Sequence, residues 1–233
     1  GACVGCVDHE VKNGGMIVRL ALALLMSTLL FLTSVSAEEQ DHGYVMAASS
    51  FPLIFEEAPD GVQRGVAVDV LARITDLTGD RIRLKTVPWA RAQHLVETGQ
   101  VDGIVGPYWT AERAKYMVFS EQPFYQDHMV AVRRNDRPLQ WQGRFREIQA
   151  QRIVAVRGWA YGPEYEAARE QLDIHVANTA EQAVQILQNG RADIALLNHR
   201  NAVFEINRMG LTQVLLVMAP AFRSTAGYFG FSR

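Results

Sequence analysis

A short pattern of residues occurs twice in this chain, and it limits the folds that the chain can adopt. Residues 95–104 read LVETGQVDGI, and residues 186–195 read ILQNGRADIA. Each copy has the end of a helix, a glycine that stops it, an aspartate and an apolar run typical of a strand. Two copies predict two similar α/β units, which would enclose a cleft if they face each other. Chance likeness of two ordinary segments is the alternative, and the matched helix stops argue against it.

Apolar runs and amphipathic segments alternate along the rest of the chain. Runs rich in β-branched residues predict strands, and apolar residues spaced by three and four predict helices. This alternation predicts an α/β fold in which each unit is a mixed sheet flanked by helices. The predicted strands cover residues 44–48, 81–87, 101–105, 129–132, 153–156, 174–177, 193–197, 211–218 and 228–231. The predicted helices cover residues 66–78, 90–98, 145–150, 164–172, 179–189 and 203–209.

The loop after the third predicted strand holds the first candidate binding residues. It begins at Gly106, and Thr110 is placed to cap a second helix that starts directly after it. Ligands of open α/β sheets collect beyond the carboxyl ends of such strands, and a helix N-terminus favours an anion. Arg113 in that first turn would suit a carboxylate ligand, with help from the Thr110 hydroxyl. The alternative is an arginine paired with a local acid, Glu112 or Glu121.

Composition and charge exclude several classes of partner. The chain has 233 residues, of which 48% are hydrophobic, so it can bury a core in one large domain or two modest ones. Its formal net charge of −2 and the lack of a long basic stripe argue against a nucleic-acid partner. Cys3 and Cys6 form a lone CxxC, which is half a zinc site, and the histidines are scattered. We therefore expect neither a bound metal nor a cofactor.

Residues 16–37 have the three parts of a secretory signal peptide. A charged start at Arg19 is followed by an apolar core over residues 20–32 and by the small-residue end VSA. A membrane anchor is the alternative, but this core is short for a spanning helix. We predict cleavage before Glu38 and a periplasmic mature chain without stable membrane insertion. Residues 1–15 are expected to be an upstream extension without fixed structure.

An ordered series of motifs resembles one known family. The series comprises FP at 51–52, PW at 88–89, GQVD at 99–102, TAERAK at 110–115 and FSEQPFY at 119–125. Together these motifs resemble the family 3 extracellular solute-binding proteins, which are the periplasmic receptors of polar amino acid ABC transporters. The resemblance extends from Gly43 to the end of the chain.

The resemblance implies a two-lobed receptor of the type II periplasmic binding fold, with the ligand cleft between the lobes. It assigns residues 38–127 to lobe 1, 128–220 to lobe 2 and 221–233 to a return to lobe 1. Crossovers near 126–128 and 218–223 would join the lobes, and a bound ligand would favour closure by a hinge motion. It also implies a monomer that delivers its ligand to an ABC permease. Family members usually continue into a further helix, so the chain is expected to be truncated.

The resemblance also implies roles for individual residues. The arginine of the family's Thr-x-x-Arg motif, which grips the ligand's α-carboxylate, corresponds to Arg113, and the threonine corresponds to Thr110. The aromatic residue that stacks on the ligand corresponds to Phe51. Asn198 stands where the family has an aspartate for the ligand's α-ammonium group. Because a neutral amide cannot neutralise that charge, the ligand is either an amino acid held differently or a small carboxylate without the amine, with a flat or apolar part.

Two loops also depart from the family pattern, and both bring aromatic residues to the expected cleft. Trp159 and Ala160 replace hydroxyl residues of lobe 2, and the loop before Thr110 is one residue shorter and carries Tyr108 and Trp109. Aromatic pocket walls are the functional interpretation, and packing in the lobes is the alternative. The predicted ligand-binding residues are Phe51, Trp89, Tyr108, Trp109, Thr110, Arg113, Trp159 and Asn198.

Three functions follow from the sequence in order of preference. The first is a solute receptor, because no nucleophile, base and orienting group occur together as an enzyme would need. The second is a dehydratase-like enzyme on the same fold, which would need an acid with a perturbed pKa in the cleft. The third is a ligand-sensing input module, which a longer reading frame beyond Arg233 would favour.

Overall fold

The computed structural model describes Gly1 and residues 43–233. Two units separate along the chain, Gly1–Asp41 and His42–Arg233, and the description below concerns the second. The predicted signal peptide and upstream extension lie outside the described residues. Among the described residues, no helix has both the length and the apolar character needed to cross a membrane.

Strands and helices alternate through residues 43–233, as the sequence predicts. The strands are β1 Tyr44–Ala48, β2 Glu56–Glu57, β3 Gln63–Arg64, β4 Ile82–Thr86, β5 Gly103–Tyr108, β6 Met117–Phe119, β7 Tyr125–Arg134, β8 Arg152–Val156, β9 Asp173–Ala177, β10 Ile194–Asn198, β11 Leu215–Val217 and β12 Arg223–Ser232. The α-helices are α1 Val66–Thr78, α2 Trp89–Glu97, α3 Pro163–Ala168, α4 Ala180–Gln188 and α5 His199–Arg208. Short 3₁₀ turns occur at Arg113–Lys115, Phe145–Ile148 and Arg169–Gln171.

One mixed sheet runs through both halves of the fold in the order β4-β1-β5-β12-β7-β10-β8-β9. The first half has parallel pairs β1–β4 and β1–β5, and the second half has parallel pairs β10–β8 and β8–β9. The halves meet at the antiparallel pair β12–β7, in which Arg223 lies opposite Met129 and Gly227 opposite Tyr125. This mixed α/β architecture is the predicted fold class. The lobe boundaries at 127/128 and 220/221 stay a prediction.

Each half has its own hydrophobic core. In the first half, α1 and α2 cover the sheet with buried side chains such as Leu71 and Leu95. In the second half, α4 and α5 pack on one face through residues such as Val184 and Ile206, and Phe145 packs with others on the opposite face. Each half of the sheet is therefore covered by its own helices and buried side chains.

The sequence repeat is reproduced by matching turns. Gly99 and Gly190 both have φ of +66°, the left-handed conformation that glycine adopts most easily. The aspartate that follows each glycine accepts a backbone N–H from a neighbouring strand: Asp102 from Val45 at 2.7 Å, and Asp193 from Arg152 at 3.1 Å. Each aspartate therefore ties the turn after its helix to a neighbouring strand.

Several predicted boundaries are wrong, and pairing between distant strands is the reason. Strand β5 continues through Gly106 to Tyr108, beyond the predicted end of the apolar run, because its pairing with β12 resumes after an irregularity. Strand β7 begins at Tyr125 and includes polar residues that pair with β12. Strand β11 keeps only three residues of the predicted 211–218. Helix α5 begins at His199, four residues before its predicted start, because Asn198 caps it.

Candidate functional site

A cavity lies where the strand ends of the two halves approach each other. Its water-accessible volume is about 60 Å³. Residues of both halves line it: Ser49, Ser50, Phe51, Ile54, Phe55, Trp89, Val105, Gly106, Tyr108, Arg113, Tyr125, Trp159, Ala160, Asn198 and Asn201. Six of the eight residues predicted to bind ligand are in this wall, and Trp109 and Thr110 are not.

Arg113 is buried at the edge of the cavity, with 5% of its surface exposed. Its Nε donates to Gln93 Oε1 at 3.1 Å, its Nη1 to the Tyr108 carbonyl at 2.7 Å, and its Nη2 to the Gly158 carbonyl at 2.9 Å. The guanidinium carbon also lies 5.4 Å from the ring centre of Trp89. Burial lowers the pKa of Arg113 below its ordinary value. The neighbouring groups therefore fix its direction without neutralising its charge.

The alternative in which Arg113 pairs with a local acid is wrong. Glu112 forms its ion pair with Lys115, and Glu121 is exposed. Within residues 43–233, no carboxylate lies within ion-pair distance of the Arg113 guanidinium. A buried cation without a counter-ion is costly, so an anionic ligand would stabilise this arrangement.

The Gly158 carbonyl accepts three hydrogen bonds from the opposite half of the fold. Besides Arg113, the donors are Trp89 Nε1 at 2.9 Å and Gln93 Nε2 at 3.2 Å, both from α2. Gly158 has φ of +72°, and a Cβ at this position would overlap the Gln93 amide. We call the contact of Trp89, Gln93 and Arg113 with Gly158 the Gly158 clamp. It joins the two halves directly beside the cavity.

Thr110 positions Arg113 rather than lining the cavity. Its Oγ1 accepts the backbone N–H of Arg113 at 3.1 Å. The predicted helix after Thr110 is wrong, because only the 3₁₀ turn Arg113–Lys115 forms there. The anion preference of a helix N-terminus therefore does not apply at this loop, and the guanidinium is the group that remains to attract an anion.

Aromatic side chains form much of the cavity wall. The Phe51 ring meets Tyr125 edge-on with centroids 5.5 Å apart, and the Tyr125 hydroxyl donates to the Gly106 carbonyl at 2.8 Å. Tyr108 is 8% exposed, and Trp159 lies 6.4 Å from the Tyr161 ring. These rings give the cavity flat, apolar sides.

Trp109 is the predicted wall residue that the structure places elsewhere. It is 57% exposed and lies outside the cavity lining. Tyr108 ends β5 with its side chain toward the interior, and successive side chains of an extended segment point to opposite sides. The shorter loop therefore brings Tyr108, and not Trp109, to the cavity.

Asn198 is the last residue of β10 and the N-cap of α5. It is 3% exposed, and its Oδ1 accepts both the Asn201 backbone N–H at 2.8 Å and the Asn201 Nδ2 at 3.1 Å. The amide oxygen is therefore occupied inside the chain. The Nδ2 group is what Asn198 can still offer, and it is a donor.

A buried acid and a second arginine lie behind the aromatic wall. Asp127 accepts the His128 backbone N–H at 2.9 Å and the Tyr108 hydroxyl at 3.4 Å. Arg200 Nε lies 3.8 Å from Asp127 Oδ2 and is buried without a hydrogen-bond partner. The Arg200 guanidinium also lies 5.9 Å from the ring centre of Phe51. Burial raises the pKa of Asp127, in opposition to the three contacts.

Sequence reasoning missed several residues around the cavity, and spacing could have found two of them. Gln93 follows Trp89 by four positions and Asn201 follows Asn198 by three, so each shares a helix face with a predicted residue. The serines at 49 and 50 stand in the loop before Phe51, where sequence gives no direction. Among residues 43–233, no group of three or more His, Cys, Asp or Glu side chains could hold a metal ion.

Comparison with known proteins gives the family of the chain. The sequence profile described as "Bacterial extracellular solute-binding proteins, family 3" matches residues 44–194. No protein among the curated sequences matches the chain.

Solved structures share the fold at low sequence identity. A histidine kinase sensor domain with similarity to periplasmic binding proteins matches with a TM-score of 0.74 at 19% identity, covering 82% of this chain and 83% of that one. Holo ArgBP from T. maritima matches with a TM-score of 0.69 at 19% identity, covering 82% and 83%. The arginine-, lysine- and histidine-binding protein ArtJ from Geobacillus stearothermophilus matches with a TM-score of 0.69 at 20% identity, covering 82% of each chain.

Proposed function

Because the chain belongs to the family 3 bacterial extracellular solute-binding proteins, we propose that it is a periplasmic receptor for an amino acid or related small carboxylate. It holds this ligand between its two lobes and presents it to an ABC transporter permease. Structural neighbours that bind arginine, lysine and histidine support a ligand of this size and class. The role is binding rather than catalysis, in keeping with the family.

The observation that carries this proposal is the buried, unpaired charge of Arg113. Arg113 is 5% exposed, and burial lowers its pKa. Its N–H groups donate to the Gln93 side chain and to the carbonyls of Tyr108 and Gly158, which fix the orientation of the guanidinium. A ligand carboxylate would supply the missing counter-charge and accept charge-assisted hydrogen bonds, the strongest kind available to a guanidinium. The rings of Phe51 and Trp159 would pack on the rest of the ligand.

The lobes of this proposal are residues 38–127 with 221–233 and residues 128–220. The antiparallel pair β12–β7 supports a hinge at this place, because these two strands connect the halves of the sheet. A ligand that contacts both lobes would then favour the closed form by its differential affinity for it.

Thermal-shift screening of the purified protein with amino acids and small carboxylates tests the proposal. A ligand at 100 times its dissociation constant adds about 2.7 kcal/mol to the unfolding free energy. For a chain of this size we therefore expect Tm to rise by about 5–10 °C.

Arg113→Ala is expected to abolish this shift, because it removes the group that pairs with the ligand carboxylate. Arg113→Lys keeps the charge and the fold but loses the guanidinium fork, so we expect it to retain a reduced shift. Arg91→Ala removes an exposed arginine from α2 and serves as the matched control. A full shift in Arg113→Ala would refute the proposed role of this residue.

A ligand-sensing module is the second candidate, and the sensor-domain neighbour is the observation that favours it. The same cavity would serve both roles, and the partner distinguishes them. Reconstitution with a candidate permease separates the two: ligand-dependent stimulation of ATP hydrolysis supports transport, whereas the absence of any stimulation in the presence of bound ligand favours sensing.

A further inference from the structure

We infer that the cavity takes a small carboxylate with an apolar body and no ammonium group; this rests on the proposed receptor function and specifies its ligand. The first observation is the absence of acids. Of the residues that line the cavity in the described part of the chain, none is Asp or Glu, and Arg113 is the only charged one. An ammonium group in this space would be desolvated without a counter-ion, which is strongly unfavourable.

Asn198 cannot take the place of such an acid. Its Oδ1 already accepts two hydrogen bonds from Asn201, at 2.8 and 3.1 Å. This leaves the Nδ2 group, which repels an ammonium donor and suits a ligand acceptor. The amide is 3% exposed and caps α5, so helix formation itself fixes its orientation.

Three carbonyl groups at or beside the cavity already accept hydrogen bonds. The Gly106 carbonyl accepts from the Tyr125 hydroxyl at 2.8 Å, and the Tyr108 carbonyl accepts from Arg113 at 2.7 Å. The Gly158 carbonyl accepts all three donors of the Gly158 clamp. The hydroxyls of the two serines at 49 and 50 remain, and a neutral hydroxyl can accept a hydrogen bond from an ammonium without balancing its charge.

An aromatic cage for an ammonium is opposed by the two arginines. Arg113 lies 5.4 Å from the ring centre of Trp89, and Arg200 lies 5.9 Å from that of Phe51. Both rings thus already face a cation. The buried Asp127 lies 3.8 Å from Arg200 and offsets that charge, so the repulsion of a ligand ammonium comes from Arg113, which has no acid partner among the described residues.

The rest of the wall suits an apolar body. Ile54, Phe55 and Val105 are at most 5% exposed and form the apolar backing of the cavity wall. With Phe51 and Trp159 they give apolar sides to the cavity that the Arg113 guanidinium also lines. A carboxylate at one end and an alkyl or aryl group at the other match this division.

Matched pairs of compounds that differ only in the α-amine test the inference. Isothermal titration of the purified protein compares each proteinogenic amino acid with its deaminated carboxylate, for example L-phenylalanine with 3-phenylpropanoate and L-leucine with 4-methylpentanoate. For the pair that binds best, we expect the deaminated member to bind roughly 10- to 100-fold more tightly. Phenethylamine, which has the amine without the carboxylate, is expected not to bind.

Asn198→Asp shifts this preference toward the amino acid if the assignment is correct. Aspartate caps a helix as well as asparagine, so the fold is preserved, and the new carboxylate oxygen provides an ammonium partner. We expect the ratio of the two dissociation constants to move by at least about tenfold toward the amino acid. Asn189→Asp, which makes the same charge change at the exposed end of α4, is the control and leaves the ratio unchanged.

The outcomes separate this inference from the function on which it rests. Tighter binding of an amino acid than of its deaminated partner in the wild-type protein overturns the inference and leaves the receptor function standing. Binding by no compound of either series overturns the receptor function and the inference with it. An unchanged ratio in Asn198→Asp overturns the role given to Asn198.

Discussion

Asp127 shows at the scale of one residue how burial can outweigh favourable contacts. Its side chain is 3% exposed, and it receives hydrogen bonds from the His128 backbone and the Tyr108 hydroxyl, with Arg200 at 3.8 Å. Each of these groups favours the carboxylate, yet burial raises its pKa above the ordinary 3.8. The folded chain therefore holds this proton more tightly than the unfolded chain does.

We predict that Asp127 makes the protein less stable as the pH rises. Because the pKa of Asp127 is raised in the folded chain, the native state binds more protons than the unfolded state above about pH 3.8. The unfolding free energy therefore decreases as the pH rises from 3.8 through the raised pKa, and it is constant at higher pH. Asp127→Asn removes this titration. Urea unfolding of both proteins between pH 4 and 7 measures it: the stability of the variant relative to the wild type is expected to increase with pH.

Asp136→Asn provides a control of opposite sign. The exposed Asp136 is hydrogen-bonded by Arg134, which lowers the pKa of this carboxyl. Its contribution is present above the ordinary 3.8 and is lost as the pH falls through the lowered pKa, so this variant is expected to show little slope relative to the wild type between pH 4 and 7 and an opposite slope below that range. The same slope for both variants would contradict the assignment of the Asp127 effect.

The crossing strands β7 and β12 hold Tyr125 in the cavity wall, and Gly227 makes room for it. A Cβ at Gly227 would overlap the Tyr125 ring, whose hydroxyl donates to the Gly106 carbonyl at 2.8 Å. The close approach of ring and backbone is therefore a property of the paired elements, and any larger residue at 227 must displace one of them.

We predict that Gly227→Ala lowers the unfolding free energy by about 1–3 kcal/mol, the usual result of overfilling a packed site. It should also weaken ligand binding, because Tyr125 lines the cavity. Chemical unfolding and titration of a bound carboxylate measure the two effects. Gly43→Ala is the matched control, since its Cβ would make ordinary contacts of 3.5 Å or more. Equal stability of the two variants would refute the prediction.

Elements with strong local signals could be predicted from sequence, and those formed by distant pairing could not. The strand at 44–48 and the helix at 66–78 match the structure residue for residue. The start of β7 was missed because Gln126, Asp127 and His128 are polar, and only their pairing with β12 makes them strand residues. The capping residue Thr110 predicts a helix, but only a single turn forms after it. A capping signal marks where a helix can start and does not determine how long it is.

The parts of the candidate site whose chemistry lies in a side chain could be predicted from the sequence. The Arg113 position, the Phe51 ring and the loss of an acid at Asn198 are all visible in sequence. The Gly158 clamp is not, because its acceptor is a backbone carbonyl and its donors come from α2 and the turn at Arg113 in the other half. Whether Tyr108 or Trp109 faces the cavity depends on where β5 ends, which only the three-dimensional fold decides.

At the scale of the whole molecule, two of the connections between the halves of the described chain bear on the proposed hinge motion. One is covalent and continuous, through the paired strands β7 and β12. The other is the Gly158 clamp, which consists of three hydrogen bonds and can separate without unfolding either half. In the proposed hinge motion, the strands would stay paired while the clamp opens to admit the ligand and re-forms around it.

We therefore predict that weakening the clamp opens the ligand-free protein and lowers its affinity. Trp89→Phe with Gln93→Met removes two donors to Gly158, together with the Gln93 acceptor of Arg113 Nε. Each hydrogen bond to Gly158 contributes about 0.5–1.5 kcal/mol, so the ratio of open to closed forms rises roughly 5- to 150-fold. Small-angle scattering of the free variant is expected to give a larger radius of gyration, and saturating ligand should restore the wild-type value, because the ligand re-forms contacts between the halves.

Gln149→Met is the control for this last prediction, since Gln149 donates to Gln171 at 2.7 Å within the second half. It loses a comparable hydrogen bond without touching the boundary between the halves, so its radius is expected to equal that of the wild type. The apparent affinity for the ligand decreases when a smaller fraction of the free protein is closed. The clamp variant must therefore also bind the ligand more weakly than Gln149→Met. If the free clamp variant keeps the wild-type radius and affinity, contacts other than the clamp hold the two halves together, and the clamp has no part in closure.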